Sequence, residues 1–227
     1  DLNIKKILHV VKNIKEVNGR LQLVKTTPNQ TKVFIDYAHT PAALDTALKT
    51  LKEHYGIKPD IVFGCGGDRD KEKRSKMGNI CEKNAGEIYI TDDNPRNENP
   101  KSIRKMIISG FRKKLIINEI PKRAKAIEAA IVKAKPNSII LIAGKGHETT
   151  QTYGSQIINI SDKKIVTNIN YKKIKFKKTN YNKIFNAEII KKLTKKNKLG
   201  FEGVSINSKK IKKGNLFIAI KGKNYNG

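Results

Sequence analysis

The chain has 227 residues, and 48 Lys plus Arg against 20 Asp plus Glu give it a formal net charge of +28. A hydrophobic fraction of 37% is enough to build a core of ordinary size, which excludes wholesale disorder. The longest clean apolar run, Ile139–Ala143, is far too short to span a membrane, and the two cysteines, Cys65 and Cys81, form no CxxC pair that would indicate a disulfide framework or a zinc site. We therefore expect a reducing, cytoplasmic location, no membrane insertion and no bound metal.

Short apolar runs alternate with helical patterns from Thr31 to Ala143, which is typical of a parallel sheet with crossover helices. The predicted strands are Lys32–Ile35, Asp60–Cys65, Glu87–Thr91, Leu115–Asn118 and Ser138–Ala143. The predicted helices are Thr40–His54, Lys76–Asn84, Pro100–Phe111 and Pro121–Lys135. The predicted fold class is α/β, with a Rossmann-like, mostly parallel sheet.

The composition changes after this region. Residues 163–198 contain 13 lysines and a single acidic residue, Glu188. We predict a first domain over residues 1–166, a lysine-rich linker over 167–181 and a small, partial second domain over 182–227. The second domain is predicted to contain the helix Asn182–Lys195 and the strands Gly203–Ile206 and Leu216–Ile220. The chain begins at Asp1 and ends within an apparent turn, so we expect it to be a piece of a longer protein.

The positive charge is explained by a lysine-rich composition and a solvated surface, without a nucleic-acid ligand. Arginine occurs at only seven positions, and the other 41 basic residues are lysines spread along the whole chain. A nucleic-acid reader would show arginines at base edges or aromatic residues interleaved with basic ones, and neither pattern is visible. A basic nucleic-acid or polyanion-binding protein is the alternative, favoured by the sequence pI of about 10.0 alone.

Three loops with binding chemistry follow predicted strands, where ligands bind in open α/β sheets. They are Gly64–Arg74, Asp92–Arg96 and Gly144–Glu148. The planar guanidinium group of arginine binds carboxylates, and the carboxylate of glutamate binds an ammonium group. The three loops together therefore predict a pocket for an amino acid. Taken singly, each loop could instead be a solvated turn, an ordinary Asn-Pro turn or a loop with a structural histidine. Asp36 could likewise be a helix cap.

Five segments taken in order resemble the third domain of the Mur ligase family, in its diaminopimelate-adding branch. They are Gly19-Arg20, Asp36–Pro41, Gly64–Lys71, Asp92–Arg96 and Gly144–Glu148. The resemblance covers about residues 1–166. It implies peptidoglycan precursor synthesis by ATP-dependent amide ligation, in which an acyl phosphate is taken by the amine of meso-diaminopimelate. A different α/β amino-acid-binding module is a further alternative.

The resemblance also assigns residues. It implies contacts with meso-diaminopimelate from Arg69, Asp93, Asn94, Pro95, Arg96, Gly144 and Glu148. Arg20 and Asp36 would face ATP. The phosphate loop and the Mg²⁺ ligands of the family belong to another domain, as does the site for the UDP-N-acetylmuramoyl dipeptide. No Walker A motif occurs here, so we expect this chain alone to be inactive.

The C-terminal segment resembles the first domain of a second Mur ligase, the branch that adds D-alanyl-D-alanine. The resemblance rests on Gly203–Lys209 and Gly214–Gly222. Asn207 and Lys209 depart from the Asp and Arg of that pattern, and Ser208 would lie at its uridine-nucleotide site. The chain would then be a slice through a fused pair of ligases.

Overall fold

The computed structural model describes residue 4 and residues 16–112, 117–174, 203–205 and 215–217. Its central element is a six-stranded sheet with the strand order β1-β2-β6-β3-β4-β5. The strands are β1 (Gln22–Thr26), β2 (Lys32–Asp36), β3 (Asp60–Phe63), β4 (Ile88–Ile90), β5 (Ile117–Glu119) and β6 (Ile139–Ala143). Strand β1 is antiparallel to β2, and the other strands are parallel, so the predicted α/β, mostly parallel fold is confirmed.

Helices cover both faces of the sheet. They are α1 (Pro41–Tyr55), α2 (Glu72–Asn84), α3 (Pro100–Ile108), α4 (Arg123–Lys133) and α5 (Asp162–Asn168). Buried residues of α1, α2 and α3 pack on one face, and those of α4 and α5 pack on the other. Right-handed crossovers explain this division, because the chain crosses the sheet in one direction from β2 to β5 and returns to β6.

Two helices begin directly after a side chain that caps their first turn. Thr40 accepts a hydrogen bond from Ala43 N and precedes Pro41, and Asn99 caps α3 in the same way before Pro100. Two predicted starts are wrong by a few residues. Helix α2 begins at Glu72 rather than Lys76, because its first turn buries the charged Arg74 and shows no apolar pattern. Helix α4 begins two residues after Pro121.

The apolar pattern missed three strands. Strand β1 is half-exposed at the sheet edge. The other two form a separate antiparallel hairpin, β7 (Thr150–Tyr153) and β8 (Gln156–Asn159). All four residues of β8 are exposed, so burial imposes no alternation on their sequence.

Regular structure continues past residue 166, the predicted end of the first domain. Helix α5 continues to Asn168, and a 3₁₀ turn follows at Tyr171–Lys173. Tyr171 and Ile174 pack on the core, and the Tyr171 hydroxyl donates to Val166 O at 2.7 Å. An aromatic and an aliphatic side chain thus anchor the first residues of the predicted linker, over 167–181, to the core.

Little of the second predicted domain is described. The strands β9 (Gly203–Ser205) and β10 (Asn215–Phe217) pair in parallel and overlap the two predicted strands. The predicted helix Asn182–Lys195 and Ser208 lie outside the described residues. In the described part of the chain, no helix is long and apolar enough to cross a membrane.

Candidate functional site

The loops after β2, β3, β4 and β6 surround a cavity of about 350 Å³ at the carboxyl edge of the sheet. Six of the seven residues predicted to contact the amino acid line it: Arg69, Asp93, Asn94, Arg96, Gly144 and Glu148. The lining is completed by Tyr37, His39, Thr40, Gly66, Asp70 and Lys73. The fold therefore brings together residues that are up to 79 positions apart in the predicted set.

Pro95, the seventh residue, is buried beneath the cavity wall rather than lining it. Gly67 lies so close to it that a Cβ atom on Gly67 would collide with Pro95 O. The Gly67 N–H also donates to Asn94 O at 2.8 Å. Pro95 and Gly67 thus join the second and third loops of the site by close backbone packing.

Arg96 is held in an unusual conformation, with a φ of 51°. Its N–H donates to Thr152 O at 3.0 Å, and its carbonyl accepts from Gly154 N at 2.6 Å, so the β7–β8 hairpin grips its backbone. One guanidinium nitrogen, Nη1, donates to Gly67 O at 2.7 Å. Within the described residues this is the one hydrogen bond of the guanidinium. Its other nitrogens can therefore bind a ligand in the cavity.

Asn94 is the centre of a polar network. Its Oδ1 accepts from Thr152 N at 3.0 Å and from Lys145 Nζ at 3.3 Å, and its Nδ2 donates to Glu148 Oε2 at 3.1 Å. These bonds fix the orientation of the amide, with Nδ2 toward the glutamate. Asn94 therefore acts as a rigid link between the third loop and the last one.

Glu148 remains a carboxylate in this network. Burial alone would raise its pKa, but the hydrogen bonds and charge of Lys145, at 2.8 Å, and the bond from Asn94 outweigh burial and lower it. Lys145 itself is fully buried. A charged carboxylate at the cavity wall suits the ammonium group of a ligand.

Asp93 is a second acid of the cavity, and burial raises its pKa. Its Oδ1 accepts from Asn94 N at 2.7 Å. Gly144 approaches its other oxygen so closely that a Cβ there would lie 2.7 Å from Oδ2, and Gly144 has a φ of 110°. Only glycine fits this position without strain.

The loop after β3 is anchored from beneath. Arg74 is fully buried, and its two terminal nitrogens each donate to a Glu98 oxygen at 2.8 Å. Glu98 also accepts from Asp68 N at 2.7 Å. Arg69 is exposed at the cavity rim and bonds only to its neighbour Asp68 O among the described residues, so its guanidinium can reach a ligand.

Arg20 and Asp36 lie beside the cavity. Both oxygens of Asp36 accept backbone bonds, from Leu21 N at 2.6 Å and from Ala38 N at 2.7 Å, so Asp36 holds the turn that carries Arg20. It is not a helix cap, since Thr40 caps α1. The Arg20 guanidinium lies 4.7 Å from the ring centre of Tyr37, which lines the cavity.

Sequence reasoning missed residues that line the cavity or are buried beside it. Lys145 stands inside a quoted loop, but a fully buried lysine is rare and its partner Glu148 was assigned to the ligand instead. Lys73 and Tyr37 line the cavity and also stand inside the quoted motifs. Their positions next to matched residues were the sequence signal that could have identified them as cavity residues.

Other chemistry at the site is limited. Burial raises the pKa of the Cys65 thiol to about 12, so it is no nucleophile near neutral pH. Among the described residues, no group of three His, Cys, Asp or Glu side chains could hold a metal ion.

Comparison with known proteins places this geometry in a family. The family described as "Mur ligase, glutamate ligase domain" matches residues 19–146, which include four of the five segments and most of the fifth. The chain belongs to the Mur ligase family. A solved structure of UDP-N-acetylmuramoyl-L-alanyl-D-glutamate–2,6-diaminopimelate ligase is similar, with a TM-score of 0.62 and 34% identity over 73% of this chain and 34% of that one.

Curated relatives with the same printed name are more similar in sequence. The protein of Haemophilus influenzae (strain ATCC 51907 / DSM 11121 / KW20 / Rd) is 43% identical over 162 residues, which is 71% of this chain and 33% of the relative. That of Buchnera aphidicola subsp. Schizaphis graminum is 48% identical over 161 residues, which is 71% of this chain and 32% of the relative. The chain thus spans about a third of the length of these relatives.

Proposed function

We propose that this chain supplies the amino-acid-binding domain of a cytoplasmic ligase that joins meso-diaminopimelate to UDP-N-acetylmuramoyl-L-alanyl-D-glutamate at the expense of ATP. The observation that carries the proposal is the charge pattern of the cavity. Arg69 and Arg96 face it as cations, and Asp93 and Glu148 face it as acids. Meso-diaminopimelate has two carboxylates and two ammonium groups, and it matches both signs. The printed name of the similar ligases supports the same substrate.

Each residue then has a role toward this amino acid. Arg96 offers a planar fork to a carboxylate, and the hairpin holds its backbone in place. Glu148 accepts an ammonium group, and Asn94 keeps Glu148 oriented. Holding both ends of the substrate directs its reactive amine toward the activated carboxyl group, which lowers the entropic part of the barrier.

ATP would supply the activation of the acceptor carboxyl group. Within this chain the fitting residues are Arg20 and Tyr37, a cation and an aromatic ring stacked beside the cavity, with Asp36 fixing the turn that carries Arg20. The described residues hold no group of metal ligands, and we assign the Mg²⁺ ligands to other domains.

The test is amino-acid-dependent ADP release by the intact protein that carries this chain, with the UDP-linked dipeptide and ATP supplied. We expect turnover with meso-diaminopimelate, and a loss of about 100-fold or more in kcat/KM for Glu148→Gln, because the ligand ammonium group and the buried Lys145 both lose their charge partner. Arg112→Ala is the matched control, since Arg112 is exposed and does not line the cavity. Release that is independent of meso-diaminopimelate, or unaffected by Glu148→Gln, would refute the proposal.

A further inference from the structure

A buried chain of charges connects helix α5 with the cavity. Arg123, at the start of α4, is fully buried and donates from Nε and Nη2 to the two oxygens of Asp162, both at 2.8 Å. Asp162 is the first residue of α5 and is also fully buried. The third hydrogen bond of the guanidinium runs from Nη2 to Ala143 O at 3.0 Å. The guanidinium therefore has a fixed orientation.

The remaining nitrogen of Arg123 is directed at the site. Its Nη1 lies 4.0 Å from Asp93 Oδ2 and has no hydrogen-bond partner within the described part of the chain. An unbonded N–H on a buried guanidinium is costly, and a neighbouring carboxylate compensates it by charge attraction rather than by a bond.

We propose that Arg123 is a positioning residue for amino-acid binding, which keeps the Asp93 carboxylate ionised and turned toward the ammonium group of the ligand, and that Asp162 sets the direction of Arg123. This inference rests on the proposed function. It extends the site to a helix beyond the region that the family match covers.

Three charged groups surround Asp93 from the elements packed against it. Arg123 of α4 and Lys145 of the last loop favour its charged form, and Glu148 of the same loop opposes it. An opposite charge within about 4–6 Å lowers the pKa of a carboxyl group by about 1–3. Loss of the Arg123 charge should therefore raise the pH at which Asp93 titrates, and loss of the Asp162 charge should lower it, because Arg123 would be less neutralised.

The experiment follows the carboxyl carbon of Asp93 by NMR in the intact protein with labelled aspartate, between pH 3 and 8, without ligand. We compare Asp162→Asn with the double variant Arg123→Gln, Asp162→Asn, which replaces the ion pair by two neutral amides and avoids an orphaned charge. Lys125→Gln is the control, since it removes a positive charge from the same helix as Arg123, but Lys125 is exposed and pairs with Glu128. The dissociation constant for meso-diaminopimelate is measured over the same pH range.

We expect the Asp93 midpoint to fall in Asp162→Asn, to rise by about 1 pH unit or more in the double variant and to stay in place in Lys125→Gln. Affinity at low pH should follow the midpoint in each protein. A role limited to stability would move melting temperature without these opposite shifts. Normal binding with an Asp93 midpoint that neither change moves would overturn the inference, whereas an unaltered protein that binds no meso-diaminopimelate would overturn the proposed function.

Discussion

Five of the seven arginines of this lysine-rich chain fall into two groups with different roles. Three of them, Arg74, Arg104 and Arg123, are buried and ion-paired with carboxylates, where a planar fork with several donors cannot be replaced by an ammonium group. Arg69 and Arg96 face the cavity. The motifs predicted the second group, because they follow strands. They did not predict Arg104 and Arg123, because both stand in helices and their acidic partners are distant in sequence.

The Arg74–Glu98 pair predicts a pH dependence of stability. Hydrogen bonds from Arg74 hold the pKa of Glu98 down at about 2, against an ordinary value of 4.5. A lowered pKa contributes stability that is present above pH 4.5 and is lost as the pH falls toward 2. Glu98→Gln should therefore be less stable at neutral pH and should lose less stability between pH 4.5 and 2.

Urea unfolding across pH 2–7 measures this difference. Glu72→Gln is the control, because among the described residues the Glu72 carboxylate pairs only with Lys76, an exposed lysine of its own helix. A Glu98→Gln variant with the same acid dependence as the unaltered protein would show that the pair contributes nothing to this pH range.

At the level of elements, the apolar pattern predicted the buried strands and missed the β7–β8 hairpin that holds the site. The hairpin bonds to the third loop through Gln151, Thr152 and Tyr153, and the Tyr153 hydroxyl donates to Asp92 at 2.9 Å. Its own residues are polar or exposed, so no periodicity marks it. Its function as a clamp depends on tertiary contacts that local sequence does not encode.

Alanine substitutions at two glycines test whether the β7–β8 hairpin supports the binding loop. Gly154 in the hairpin turn has a φ of 55°, and Gly56 at the end of α1 has a φ of 73°, and a Cβ at either position meets no atom within 4 Å. Gly154→Ala and Gly56→Ala should each cost about 1 kcal/mol of stability from backbone strain. Gly154→Ala should also weaken meso-diaminopimelate binding several-fold, because relieving the strain at residue 154 would shift its N–H away from Arg96 O.

Titration calorimetry and thermal unfolding of both variants separate the two effects. Equal affinity of Gly154→Ala and Gly56→Ala for the amino acid would mean that the hairpin does not support the binding loop.

For the whole molecule, sequence predicted the fold class and the edge of the sheet that carries the site, because alternating strands and helices leave few topologies and their loops converge. The bounds of the first domain and of the linker stay predictions, although Tyr171, a residue of the predicted linker, packs on the core. The second predicted domain, over 182–227, stays a prediction.

We propose that the cavity selects an amino acid with carboxylates at both ends. Calorimetry of the intact protein with meso-diaminopimelate and with L-lysine measures this selectivity. Lysine lacks the second carboxylate and would leave Arg96 desolvated without a partner, so we expect meso-diaminopimelate to bind at least about 100-fold more tightly. Arg96→Ala should remove most of this preference, and Arg112→Ala should keep it. Equal dissociation constants for the two amino acids, or a preference that survives Arg96→Ala, would show that Arg96 does not select for the second carboxylate.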